Sequence, residues 1–250
     1  MVNLQKRVPE QIKAYSGISK PKKLVMNVLF VLTSHDELGD TGNKTGFWIE
    51  EFAAPYYRML DKGVKVTVAT PKGGMAPIDP SSDTEDAQTE DTKRFKSDEK
   101  AREVINNTHK LSEMDPANFD AVFYPGGHGP LWDLSKDKDS IKLIESFNSA
   151  KKPIGFVCHA PAALKNVKKG NGEPLVKGKK VTGFTNSEEE AVELKDVVPF
   201  LVEDMLKENG GIYSKGDDWA EYVLVDGNLV TGQNPASSSL AAEKLYGLIK

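Results

Sequence analysis

The sequence predicts an α/β fold built on a mostly parallel β-sheet, and three observations carry that prediction. Runs rich in apolar and β-branched residues recur at Val25–Leu32, Val64–Ala69, Phe119–Tyr124 and Ile154–Val157, the second of them alternating. Runs of that length and composition suit strands covered on both faces. Between the first two lies Phe47–Leu60, whose apolar residues recur at helical spacing, so the pair forms a βαβ unit with a right-handed crossover. Near the end, Tyr222–Val225 and Leu229–Gly232 flank Asp226-Gly227, a pair that favours a tight hairpin turn, so one antiparallel pairing is expected.

Taken in order, Met1–Lys23 is a polar, basic extension, with a helical turn expected around Glu10–Tyr15. The fold proper is expected over residues 25–250, after an extension of residues 1–24. Val25–Leu32 is the first strand, and Thr33–Asp36 and Gly39–Lys44 form a polar loop. In the helix Phe47–Leu60, Glu50 and Glu51 fall early, where negative charge suits the dipole. Pro55 is a candidate bend, and Gly63 a stop. Val64–Ala69 is the second strand. Thr70–Thr92, rich in Pro, Gly, Ser and acid, is expected as a long surface loop, followed by a helix over Lys96–Ile105. Phe119–Tyr124 is the third strand, Ile141–Ala150 a helix and Ile154–Val157 the fourth strand. Val181–Thr185 reads as another strand, and Val198–Asn209 as a helix stopped by Gly210-Gly211. Ser237–Ile249 closes the chain as an amphipathic helix with Ser as its cap.

A chain of 250 residues can bury a substantial core, and its 28% charged residues include no apolar run long enough to span a bilayer. A net charge of −4 argues against a nucleic-acid partner. One cysteine rules out an internal disulfide and fits a reducing, cytoplasmic setting.

That cysteine, Cys158, sits where a strand turns toward a helix opened by Pro161. The free N–H groups of a helix start favour a thiolate, so a lowered thiol pKa is expected, with His159 beside it. A buried, inert cysteine is the plain alternative. In an open parallel sheet, ligands sit outside the carboxyl ends of the strands. Gly126-Gly127-His128 and Glu188–Glu190 follow two more strands, and Glu51 opens the helix after the first. Gly126 and Gly127 suit an oxyanion hole or simply a tight turn. His159 suits a general base or a polar residue at a helix start. One of Glu188, Glu189 and Glu190 suits orienting an imidazole, while a solvated face is the alternative for the others. Glu51 suits sharing a proton with Cys158, or merely a favourable helix-end charge. His35, Asp36, Glu37 and His128 lack tight ligand spacing, so no metal is expected.

Four segments together carry a resemblance: Pro125-Gly126-Gly127-His128-Gly129, Val157-Cys158-His159-Ala160-Pro161-Ala162, Val181-Thr182-Gly183-Phe184-Thr185, and Val230-Thr231-Gly232-Gln233-Asn234-Pro235-Ala236-Ser237, with Thr45-Gly46 ahead of Glu51. They resemble the ThiJ/PfpI superfamily, in its heat-shock chaperone and glutathione-independent glyoxalase (glyoxalase III) branch. The resemblance implies a flavodoxin-like three-layer sandwich of the class I glutamine amidotransferase-like kind, with a small cap or loop insertion around 70–115. It implies a nucleophile elbow at Cys158, His159 as partner, Glu51 bonded to the sulfur and Glu189 as the third, acidic member. Gly127 and the N–H of His159 are placed in the oxyanion hole, with Gly126 and His128 lining the substrate site. The implied reaction converts methylglyoxal and related 2-oxoaldehydes to 2-hydroxy acids such as lactate, without metal or organic cofactor. Rival expectations are a stress chaperone holding unfolded clients across a homodimer, a cysteine hydrolase or protein deglycase, and a thiol redox sensor. Ala160 stands where the resemblance expects glycine, and the acidic insert Ser81–Asp91 is not typical.

Overall fold

Seven strands make one sheet, and each apolar run of the sequence supplies one of its inner strands. The computed structural model describes residues 25–250; the expected helical turn at Glu10–Tyr15 lies outside the described residues. The strands are β1 (Asn27–Val31), β2 (Lys65–Thr70), β3 (His109–Lys110), β4 (Ala121–Tyr124), β5 (Ile154–Val157), β8 (Val223–Asp226) and β9 (Leu229–Gly232). Their order is β3-β2-β1-β4-β5-β9-β8. All pair in parallel except β8 with β9, which form the expected hairpin.

Both sheet faces are buried over β1, β4, β5 and β9, which is why those strands are largely apolar, whereas β2 alternates and starts exposed. On β1, Val28 and Phe30 face one core with Leu32 beyond them, while Leu29 and Val31 face the other. The first core is closed by helix α1 (Ile49–Leu60) and helix α7 (Ser238–Leu248), through Phe52, Tyr56, Ala241 and Leu245. The second is closed by α4 (Lys138–Ser149) and α6 (Val202–Glu208), through Ile144, Phe147, Met205 and Leu206. The result is a three-layer α/β/α sandwich.

Pro55 does not break α1. It sits inside an uninterrupted helix, at a general cost of about 3 kcal/mol. Ile49, Phe52, Tyr57 and Met59 are buried on the same helix. At roughly 1.5–3 kcal/mol per buried large apolar side chain, their packing outweighs it.

Four local expectations are corrected. The loop expected over Thr70–Thr92 contains 3₁₀ turns at Pro80–Asp83 and Glu85–Ala87 and the start of α2 (Glu90–Ser97). The helix expected over Lys96–Ile105 is two, α2 and α3 (Glu99–Asn106), divided at Asp98, whose carboxylate accepts from the N–H groups of Lys100 and Ala101 at 3.0 and 3.2 Å. The strand expected over Val181–Thr185 shrinks to β6 (Lys180–Val181), which leaves the main sheet to pair with β7 (Ile212–Tyr213). From Thr185 the chain enters α5 (Asn186–Ala191) instead, through a capping box in which Thr185 and Glu188 exchange side-chain-to-backbone bonds. Ser237 makes no side-chain cap on α7; its hydroxyl donates to Asn234 Oδ1 at 3.0 Å.

Candidate active site

Cys158 leaves β5 at a sharp corner with φ of +59°. That conformation costs a non-glycine residue on the order of 1–3 kcal/mol and persists only where the surroundings impose it. Here its N–H donates to the Gly232 carbonyl at 3.0 Å and its own carbonyl accepts from the Phe184 N–H at 2.9 Å. The geometry is that of a nucleophile elbow.

The helix expected after the corner is a five-residue 3₁₀ run, Ala160–Leu164. So short a run has little dipole to offer, and Cys158 is only 3% exposed. The thiol is accordingly pushed up, first by burial and then by Glu51, whose charge in the alkaline range would sit beside the thiolate, against the pull of the Gly127 N–H. The expected resting thiolate is thereby corrected to a resting thiol.

A base stands beside it. Cys158 Sγ lies 3.2 Å from His159 Nδ1, and His159 Nε2 lies 2.7 Å from Glu189 Oε2. Burial opposes ionisation of Glu189, but His159 and His128 outweigh it and hold the carboxyl well below the usual range. An ionised carboxylate only accepts, so His159 carries its hydrogen on Nε2. Burial, and then the neighbouring His128, push His159 down. Its ring is neutral, and the Nδ1 lone pair faces the thiol.

Glu51, fully buried, meets the same sulfur from α1. Its Oε2 accepts the Gly126 N–H at 2.8 Å, while Oε1 has no hydrogen-bond partner of ordinary geometry. Burial pushes this carboxyl up to about 8, opposed by hydrogen bonding from Cys158 and Gly126. Glu51 therefore rests as the protonated acid at neutral pH, against the sulfur.

Gly126 and Gly127 are needed by their surroundings. A Cβ on Gly126 would come 2.5 Å from Glu51 Oε2. Gly127 has φ of +89°, and a Cβ there would run into the Gly46 carbonyl. The Gly126 N–H is engaged by Glu51, so of this pair it is Gly127 whose N–H points at the sulfur.

The run of three glutamates divides into three roles. Glu189 meets His159. Glu190 is exposed, 3.6 Å from Lys195. Glu188 is fully buried, and its carboxylate accepts from the N–H groups of Thr185 (3.0 Å) and Trp219 (2.8 Å) and the side-chain amides of Gln233 (3.1 Å) and Asn234 (2.8 Å). This hub ties α5 to the loop after β9 and so fixes Glu189. The Thr185-to-Glu188 spacing was its one sequence signal; the partners at 219, 233 and 234 had none. Phe184 packs on the His159 ring at 4.2 Å between centroids, and Trp219 packs on Phe184 at 5.8 Å.

His128 is bound to the same acid, with Nε2 2.8 Å from Glu189 Oε1. It also lines a cavity of about 400 Å³ with Trp48, Asp79, Ser81, Val192 and Leu194. His35, Asp36 and Glu37 do not gather around it: His35 stacks on Trp132 and Asp36 pairs with Lys44 at 2.7 Å. Among the described residues, the ligand-bearing group that does gather is His128, His159 and Glu189, whose atoms lie within 4.8 Å of one another and are already joined by hydrogen bonds.

A cysteine corner at the carboxyl edge of a parallel sheet, inside an α/β/α sandwich, places the molecule in the class I glutamine amidotransferase-like class. Within that class the chain belongs to the DJ-1/PfpI family, whose pattern matches residues 44–246, and to its HSP31/glyoxalase III branch. It is 30% identical to Glyoxalase 3 of Candida albicans over 227 residues, covering 88% of this chain and 96% of that one. It is 29% identical to the glutathione-independent glyoxalase HSP31 of Saccharomyces cerevisiae over 238 residues, covering 92% and 99%. Among solved structures it is similar to the Rapid Encystment Protein 24 KDa (REP24) of Francisella tularensis, with a TM-score of 0.87, 36% identity and coverage of 90% and 100%. Among the described residues, no helix is long and apolar enough to cross a membrane.

Proposed function

We propose that this protein is a glutathione-independent glyoxalase, converting methylglyoxal and related 2-oxoaldehydes to 2-hydroxy acids through Cys158. The observation that carries the reading is the pairing of one sulfur with a neutral imidazole at 3.2 Å and a protonated buried acid. Relatives over nearly the whole chain bear the glyoxalase name.

The chemistry asks for a nucleophile, a base and an acid that turns into a base. Cys158 sulfur bonds to the aldehyde carbon as its proton passes to His159 Nδ1. Glu51 protonates the alkoxide, giving a hemithioacetal, and is left as a carboxylate beside the same carbon. It then takes the hydrogen from that carbon, and the resulting enediol collapses. The hydroxyl proton of the first carbon moves to the neighbouring oxygen, and Glu51 returns its proton to the second carbon. The first carbon is oxidised and the second reduced, so no external redox partner enters. A Cys158 thioester of the 2-hydroxy acid remains, with Glu51 left as a carboxylate; water releases the acid, whose carboxyl proton restores Glu51 as the product leaves as its anion. The N–H groups of Gly127 and His159 serve the developing oxyanions.

Purified protein should form lactate from methylglyoxal with no glutathione added, and Cys158→Ser should abolish this with an unchanged circular dichroism spectrum. Undiminished turnover by Cys158→Ser would eliminate the scheme.

A further inference from the structure

Glu189 serves two imidazoles, one on each oxygen. His159 Nε2 lies 2.7 Å from Oε2, and His128 Nε2 lies 2.8 Å from Oε1. The two rings stand 4.0 Å apart between centroids, tilted by 38°. One anion thus fixes both rings in the same tautomer, with hydrogen on Nε2 and a lone pair on Nδ1. For His159 that lone pair meets the thiol. For His128 it has no hydrogen-bond partner among the described residues, and the ring stands in the wall of the cavity of about 400 Å³. His128 is 7% exposed and lines that cavity. Its acidic neighbour in that wall, Asp79, is engaged elsewhere: it accepts from the Thr45 hydroxyl and from the Ser81 N–H, at 2.8 and 2.9 Å. Of the two imidazoles that Glu189 holds, His128 is the one that lines the cavity, and His159 is the one that meets the sulfur.

We propose that His128 is the base that activates water to release the acyl group from Cys158, while His159 serves the sulfur. This rests on Cys158 being the nucleophile of the function proposed above. In the release step a water oxygen bonds to the thioester carbon as His128 Nδ1 takes one of its protons. The carbon–sulfur bond then breaks, and the sulfur takes back the proton that His159 Nδ1 received when the thiol attacked. The product's carboxyl proton passes to Glu51, the 2-hydroxy acid leaves as its anion, and His128 returns its proton to solvent through the cavity, so every group is restored. Attack and release are divided between two imidazoles that a single carboxylate holds. The division suits a buried sulfur, since the base that must reach water is the one in the cavity wall.

The test uses p-nitrophenyl acetate, which acylates a thiol without any aldehyde chemistry. The wild-type protein should show a stoichiometric burst of nitrophenolate and then steady turnover. His128→Gln keeps an N–H donor for Glu189 but no base. Its burst should be intact, its steady phase lower by about a hundredfold or more, and acetyl-Cys158 should accumulate by mass spectrometry. Added hydroxylamine, which needs no base, should restore the steady phase. An unchanged steady phase in His128→Gln overturns the proposal, as does loss of the burst, which would make His128 a prop for Glu189 only. A wild-type protein with no burst overturns the nucleophile and this proposal together. A wild-type burst without lactate formation from methylglyoxal sinks the glyoxalase reading alone and leaves the role of His128 standing.

Discussion

Two carboxyl groups within reach of Cys158 are held in opposite charge states, and that contrast sets what each can do. Glu189 accepts from two imidazoles and stays ionised; Glu51 accepts one backbone N–H, is sealed from water and stays protonated. Pairs of acids with separated pKa values mark divided acid and base roles. Glu189→Gln presents only one oxygen to two N–H donors, so one imidazole loses its partner. Lactate formation should fall about 10²–10⁴-fold, the scale of a general-base contribution, while circular dichroism stays the same. The acid form of Glu51 disappears above a pH of about 8. Since kcat/KM reports the free protein, its pH profile should descend above about 8; a level profile from neutral to strongly alkaline pH would contradict the first-step role of Glu51.

At the scale of elements, side-chain caps draw most of the boundaries that the periodic patterns misplace. Asp98 ends α2 and begins α3, and it also accepts the Tyr57 hydroxyl at 3.1 Å. Asp98→Ala removes both, and should lower stability by about 1–2 kcal/mol in urea unfolding. Asp137 likewise starts α4 a turn before the apolar pattern does, by accepting the Ser140 N–H at 2.8 Å. The strands fared better in the sequence because burial on both faces leaves uninterrupted apolar runs. Val181–Thr185 has that look too, yet only Lys180–Val181 is paired. Its remaining residues turn toward the site, with Phe184 N–H on the Cys158 carbonyl. A five-residue window cannot reveal a partner that lies 26 positions away.

Across the whole molecule, the buried acids make stability depend on pH in an unusual direction. Glu51 has its folded pKa raised from 4.5 to about 8, and Glu50, partly buried against the Thr89 hydroxyl, to about 7. A raised folded pKa means that the folded state holds a proton the unfolded chain has lost, so stability falls as pH rises between those limits. The unfolding free energy from urea titration should drop from about pH 6.5 to pH 8 by about 2 kcal/mol, mostly through Glu51 because Glu50 keeps some solvent. Glu51→Gln should flatten that slope. Glu189 works the other way: its lowered pKa adds stability above 4.5 that is lost as pH falls further. His159, pushed down by burial, likewise adds stability as pH rises toward 6.5, so the fall due to Glu51 stands alone only above about pH 6.5. An equal or rising urea midpoint from about pH 6.5 to 8 would mean that Glu51 is ionised in the folded state.

The sequence by itself determined the inner strands, the corner at Cys158, the glycine pair beside it and the family to which these segments belong. Those features are written in short stretches, where apolar runs, small residues and turn residues sit next to one another. The resemblance already pointed to Glu189 as the acid beside His159; only the tertiary structure decided that Glu188 is a buried hub, that His128 shares the acid, and that the thiol rests protonated. Each of these depends on what the fold brings together from afar and how far it excludes water. Desolvation and long-range pairing leave no local pattern, and here they reversed the charge state that the local pattern favoured.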